Sequence, residues 1–222
     1  DAQVGQMPDV LVVHDLERER CEGLVVVRAA HFFAALLGMR AHDLRHVEAA
    51  RERLGNERDL MVDAGGSEQF WPHGVNWAKR TARMLAEYGV EWFEEPLPPD
   101  DIDGYAELTR SSPIPIAGGE VLTRRQSFLP WISRRAVDII QPDIEWTGGL
   151  SETLKIYTYA EAAGIETITH MGGSTAWGQH FALAMPESSQ AEWFMNTDVG
   201  QSLGDKLLPG VATAKGGKVV PS

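Results

Sequence analysis

Between Leu60 and His170 five short apolar runs each end in an ionisable side chain: LMVD at Asp63, WFE at Glu94, GGE at Glu120, QPD at Asp143 and ITH at His170. The spacings between those residues are 31, 26, 23 and 27. Each is the length of one strand, one helix and the two loops that join them. Strands joined through helices run in the same direction, so the repeat calls for a parallel sheet. In a parallel barrel the C-terminal ends of the strands converge on one face, and that face carries the chemistry.

The intervening segments have helical periodicity. Asp43 is placed to cap a helix with apolar positions Leu44, Val47, Ala50 and Leu54, stopped by Gly55. Val75, Ala78, Ala82, Leu85 and Tyr88 recur on one face and end at Gly89. Leu150, Leu154, Tyr157 and Ala160 do the same before Gly164. Counting strands from Val10–His14 and Leu24–Val27 through to Ala191–Met195 gives eight, which closes an α/β fold into a (β/α)8 TIM-type barrel. An open doubly wound sheet is the alternative. No GxGxxG follows any strand, which removes the usual dinucleotide site. The barrel is expected over residues 1–199 and an irregular, Gly- and Pro-rich tail over 200–222.

Net charge is −12, which argues against a nucleic-acid partner, because phosphate binding needs clustered Lys and Arg. Cys21 is the single cysteine, so no internal disulfide forms, in keeping with a reducing cytoplasm. The start, DAQVGQMPDV, lacks the basic and apolar regions of a signal peptide. The longest apolar run, Gly23 to Met39, is broken by Arg28 and His31, so no membrane span is expected. His31–Met39 (HFFAALLGM) reads as a short buried helix or a contact between copies of the chain, pointing to a homo-oligomer.

Asp63, Glu94 and Glu120 are hard oxygen donors on successive strands. Such a set suits Mg²⁺, which takes octahedral oxygen and keeps coordination positions for water and substrate. Glu94 is followed by Glu95. Adjacent strand side chains point to opposite faces, so Glu94 is assigned inward, and Glu95 is left to face the helices or pair with a cation. Asp143 and His170 end consecutive strands. A carboxylate on one imidazole nitrogen fixes the tautomer and raises the basicity of the other, which makes His170 a general base. Glu192, in the last strand beside Trp193, is placed either to bond a substrate or as an edge residue. His73 and Trp71, after Asp63, border the pocket or lie on a surface loop.

With these residues in place the chain resembles the enolase superfamily, in its mandelate racemase subgroup. The words that carry the likeness are LMVDAG, EWFEEPLPPDDIDGYAEL, IAGGE, VDIIQPDIEWTGGLSE and ITH, over Leu60 to about Met195. Within the subgroup, EEPLPPDD with DGYAEL, QSF and QPDIEWTGG look most like L-rhamnonate dehydratases and related acid-sugar dehydratases. The resemblance implies a barrel, in some members (β/α)7β, behind an N-terminal capping domain that this sequence lacks or carries truncated. It implies Mg²⁺ on Asp63, Glu94 and Glu120, and His170 held by Asp143 as the base that takes the proton alpha to a carboxylate. The product is a 2-keto-3-deoxy sugar acid, formed through an enediolate. Glu192 matches a last-strand Glu that supports the substrate.

The family commonly carries Lys-x-Lys at the end of the second strand. Here the matching positions are Arg28 and Ala30. Arginine stays protonated and is a poor base, but Arg28 can bind a substrate carboxylate. One base on one face suits dehydration. A racemase or epimerase needs a second base opposite His170, and a truncated barrel without catalysis is the third reading.

Overall fold

The computed structural model describes residues 24–27, 41–56, 58–64, 74–186, 188, 190–192, 211–212 and 218–219. Strands β1 (Leu24–Val27), β2 (Leu60–Asp63), β3 (Val90–Glu94), β4 (Ile116–Gly118), β5 (Ile139–Ile140), β6 (Glu166–Thr167) and β7 (Gln190–Glu192) run through it in turn. Helices α1 (Ala41–Leu54), α2 (Val75–Glu87), α3 (Ile102–Ser111) and α4 (Arg124–Arg134) follow β1 to β4. A single turn, α5 (Ile144–Thr147), precedes α6 (Leu150–Ala163) after β5, and a 3-10 turn, Gly172–Ser174, precedes α7 (Ala176–Ala184) after β6.

Strands β2 to β6 pair in sequence order as one parallel arc. The seventh strand lies parallel beside the first, with Val25 opposite Gln190 and Val27 opposite Glu192. The two sheets, β2 to β6 and the one that holds β7 and β1, are not hydrogen-bonded to one another among the described residues, but the strands of the first follow chain order and the seventh strand meets the first. That is the order of a (β/α) barrel. A doubly wound sheet would reverse its order at a central switch point, and the arc has no such reversal.

Side-chain alternation splits the core in two. Met61, Trp92, Ala117 and Ile139, one from each of β2 to β5, and Ile168, just past β6, form a buried cluster inside the barrel. Leu60, Val62, Val90, Phe93, Ile116 and Ile140 point the other way and pack against the helices, with Leu85, Tyr105, Leu108, Phe128, Trp131 and Ile156. Tyr105 and Trp131 join α3 to α4 with ring centroids 4.5 Å apart. Helices α2 and α6 stop where the sequence suggests, at Gly89 (φ +62°) and Gly164 (φ +68°), in the left-handed region that glycine reaches without strain.

Several expectations change. Helix α1 begins at Ala41, so Asp43 lies within it and is not its cap. Helix α5 has four residues, too few for a periodic signal, and Asp143 caps it. In the stretch read as an irregular tail, Lys218–Val219 forms β8, antiparallel to β1; two residues carry no alternation to read. Arg28, His31–Met39, Trp71, His73, Trp193 and the strand proposed at Val10–His14 lie outside the described residues. Among the described residues no helix is long and apolar enough to cross a membrane.

Leu85 is fully buried between α2 and the sheet, whereas Leu154 on α6 is 45% exposed. Leu85→Ala is therefore expected to lower unfolding free energy by about 2–5 kcal/mol. Leu154→Ala is expected to change it by less than about 0.5 kcal/mol. Denaturant titration of both variants checks the assignment of the two faces.

Candidate active site

The interior cluster sets the positions of the ionisable residues, because two residues further along a strand the side chain returns to the same face. Asp63 follows Met61, Glu94 follows Trp92, and His170 follows Ile168 in this way. Asp63 and Glu94 are direct partners in the β2–β3 register. The Trp92 indole donates to Glu94 Oε2 at 3.1 Å, which confirms that both share the interior side. Glu95 lies on the opposite side: its Cγ is 3.6 Å from the point where a Gly118 Cβ would stand, and Trp131 is 3.5 Å from the same point. Both glutamates are buried.

Asp143 and His170 meet through backbone and side chain. Their backbones form an isolated parallel bridge just beyond β5 and β6. His170 Nδ1 lies 2.8 Å from Asp143 Oδ2. The other oxygen, Oδ1, accepts the N–H groups of Glu145 and Trp146 at 2.7 and 3.1 Å and so caps α5. The carboxylate is thus held from both ends. An ionised carboxylate only accepts, so Nδ1 carries the hydrogen and Nε2 is the basic nitrogen of the neutral ring. Nε2 faces Glu120 Oε2 at 3.2 Å and Glu192 Oε2 at 3.7 Å.

The turn after His170 is tightly built. Met171 is left-handed at φ +51°, and its N–H donates to Glu192 Oε2 at 2.8 Å. A Cβ at Gly172 would fall 1.9 Å from Thr169 Oγ1, and one at Gly178 would fall 2.2 Å from Gly172 O, so neither position admits a side chain. Buried Gln179 donates from Nε2 to Gly173 O at 2.8 Å and to Ala212 O at 2.9 Å, and its Oε1 accepts the Ala212 N–H at 2.9 Å.

Electrostatics at this face is dominated by carboxylates short of positive charge. Burial raises Glu94, and the nearby Gln141 and Trp92 side chains and the His170 charge pull it back only in part. Burial, then the charges of Glu120 and Glu94, push Glu95 up to about 8. Glu120 is raised by burial against the pull of His170. Glu192 is pushed to about 8 by burial and then by Glu94. For His170, burial pulls downward, but the Asp143 hydrogen bond and the charges of Glu192 and Glu120 outweigh it and raise the imidazole to about 9. Asp143 ends below the usual range, because its bonds from His170, Trp146 and Glu145 overcome its burial.

The structure therefore brings Asp143, His170, Glu120 and Glu192 together, and sets Asp63 and Glu94 side by side. It does not gather Asp63, Glu94 and Glu120 into a finished cage: among the described residues no three His, Cys, Asp or Glu side chains stand within reach of one ion. Glu120 turns to His170 instead, and Glu94 to Trp92. The donor set still fits a hard divalent cation in chemistry. Glu94 Oε1 and Glu192 Oε1 are buried without a hydrogen-bond partner, and the surrounding carboxylates are raised partly by one another's charge. Gln141 escaped the sequence reading. It lies two residues beyond Ile139, on the interior side between Glu120 and His170, and the alternation rule that selected Glu94 selects it too.

The sequence and fold comparisons agree with this layout. Residues 23–222 match the enolase C-terminal domain-like family. D-galactarolactone cycloisomerase of Agrobacterium fabrum is 40% identical over 134 residues, 60% of this chain and 34% of that protein. L-rhamnonate dehydratase of Saccharopolyspora erythraea is 34% identical over 155 residues, 69% of this chain and 38% of that protein. A structure of L-talarate dehydratase from Polaromonas sp. JS666, complexed with Mg and L-glucarate, superposes with a TM-score of 0.65 at 32% identity, covering 78% of this chain and 45% of that one. The chain thus spans between a third and a half of the length of these relatives. With the family match running over almost all of its residues and the parallel strands in chain order, the chain belongs to the enolase C-terminal domain-like family.

Proposed function

We propose that the chain is the barrel part of a Mg²⁺-dependent acid-sugar dehydratase, a hydro-lyase. The observation that carries this reading is the Asp143–His170 pair, with Nδ1 locked at 2.8 Å and Nε2 turned toward buried carboxylates. In the proposed reaction Nε2 takes the proton from the carbon alpha to the substrate carboxylate, giving an enediolate. The electron pair expels the 3-hydroxyl, the hydroxyl leaves as water with the proton from His170, and the enol tautomerises to a 2-keto-3-deoxy acid. Glu192, anchored by the Met171 N–H, lies near enough to His170 to contact the same substrate. A bound Mg²⁺ on Asp63, Glu94 and Glu120 would supply the positive charge that lets a substrate carboxylate, and the charge that develops on it, sit among these acids.

The names of the relatives support a sugar-acid substrate. Dehydration is favoured over racemisation by Arg28 and Ala30, which stand in the sequence where the family commonly carries Lys-x-Lys and leave Asp143–His170 as the assigned base.

Incubation with Mg²⁺ and L-talarate, L-glucarate, L-rhamnonate or D-galactarolactone is expected to yield a 2-keto-3-deoxy acid from at least one. Exchange of solvent deuterium into C2 without loss of water would replace the dehydratase reading with an epimerase. His170→Asn should lower turnover by about 10²–10⁴-fold with Mg²⁺ affinity little changed, measured by calorimetry; unchanged turnover removes His170 from the role. Glu120→Gln should weaken Mg²⁺ binding by at least about tenfold.

Stability should carry the same signature. Glu95 and Glu192, with folded pKa near 8 against the ordinary 4.5, contribute stability that is full below pH 4.5 and lost as pH rises through about 8. His170, raised from 6.5 to about 9, acts in the same direction over a higher window. The melting temperature of the metal-free chain should therefore fall from pH 5 to pH 9. The upward shift given by Mg²⁺ should grow over that range, because ligating carboxylates must be ionised. Glu94 and Glu120, both raised, are to be ionised before they hold the cation, so a Mg²⁺ shift independent of pH would contradict their assignment to the cation site.

A further inference from the structure

Gln141 is 2% exposed, and its side chain follows Ile139 onto the interior face of the barrel. Its backbone N–H is held by Gly118 O at 3.0 Å, which fixes the residue at the end of β5. The side chain lies close enough to Glu94 to help hold that carboxyl down against its burial. Its carbonyl oxygen, Oε1, is buried and has no hydrogen-bond partner. A buried acceptor without a donor costs free energy, and such groups in folded chains mark a missing partner.

We propose that Gln141 is a specificity-determining residue whose Oε1 accepts a hydrogen bond from a hydroxyl of the substrate's polyol chain. This rests on the acid-sugar reading of the site and sharpens it. The free end is an acceptor, so it selects an O–H and repels a carboxylate. The carboxylate of the substrate therefore lies elsewhere in the mouth, and Gln141 reads the hydroxylated part. A site built to bond a hydroxyl discriminates strongly against an analogue that lacks it, because the acceptor is then buried unpaired.

The test uses pairs of ligands with the same carbon skeleton and charge. Adipate is L-glucarate or L-talarate without its hydroxyls, and hexanoate is the corresponding partner of L-rhamnonate. Calorimetric titrations are made at saturating Mg²⁺ on the wild type and Gln141→Met, which keeps the length and apolar bulk and removes the acceptor. The sugar acid should bind about tenfold or more weakly to the variant, with the affinity of its hydroxyl-free partner unchanged. Equal loss for both ligands, or no loss for either, overturns the assignment. Should Gln141→Met fail to fold by circular dichroism, Gln141→Asn, which withdraws the carbonyl by one methylene, faces the same pair of titrations and the same criterion. A wild type that binds none of the three sugar acids defeats the acid-sugar reading itself, and the role of Gln141 with it. A wild type that binds them alongside an indifferent variant defeats only the role of Gln141.

Discussion

Like charges brought close in a dry environment repel, and the mouth of this barrel holds four buried or half-buried carboxylates, Glu94, Glu120, Asp143 and Glu192, around His170, with a fifth, Glu95, buried on the helix-facing side of the same strand end. Most of what is unusual about the site follows from that imbalance. Asp143 alone is fully compensated, by an imidazole and two backbone N–H groups, and it alone falls below the ordinary carboxylate range. The others are raised. Glu120 leans on His170, and Glu94 takes the Trp92 indole as a weaker substitute for a cation. The arrangement is stable enough to fold because protonation and these borrowed contacts soften the repulsion, and it is primed for positive charge for the same reason.

The scaffold meets this cost through the regularity of its strands. Each strand of the arc gives one side chain to the interior cluster and the next to the helix-facing layer, so the position two residues on is fixed in direction before any loop is considered. Rigid strand ends can hold acids near one another where loops would let them separate. The turn after His170, with no space for a side chain at Gly172 or Gly178, extends that rigidity beyond the strand.

Much of this was legible in the sequence. The strand-end spacing gives the barrel and its polar face, because period and position survive without coordinates. Alternation says that Glu94 and Glu95 face opposite ways but not which faces inward; the structure puts Glu94 beside Trp92 and Glu95 beside Trp131. What escaped depends on contacts between segments far apart in the chain. Glu120 turned toward His170 is a side-chain choice that no spacing reveals. Gln141 is an uncharged residue among acids, so its inward strand position went unread until its unpartnered oxygen marked it. Helix α5 and strand β8 are too short to carry a period, and Asp43 has a capping residue's chemistry at a place where the helix had already begun.

Gln179 joins three parts of the molecule through one amide: helix α7, the turn at Gly173 and the distant Ala212. Because every polar atom of that amide is spoken for, the segment at Ala212 and the loop that follows the histidine behave as a single mechanical piece.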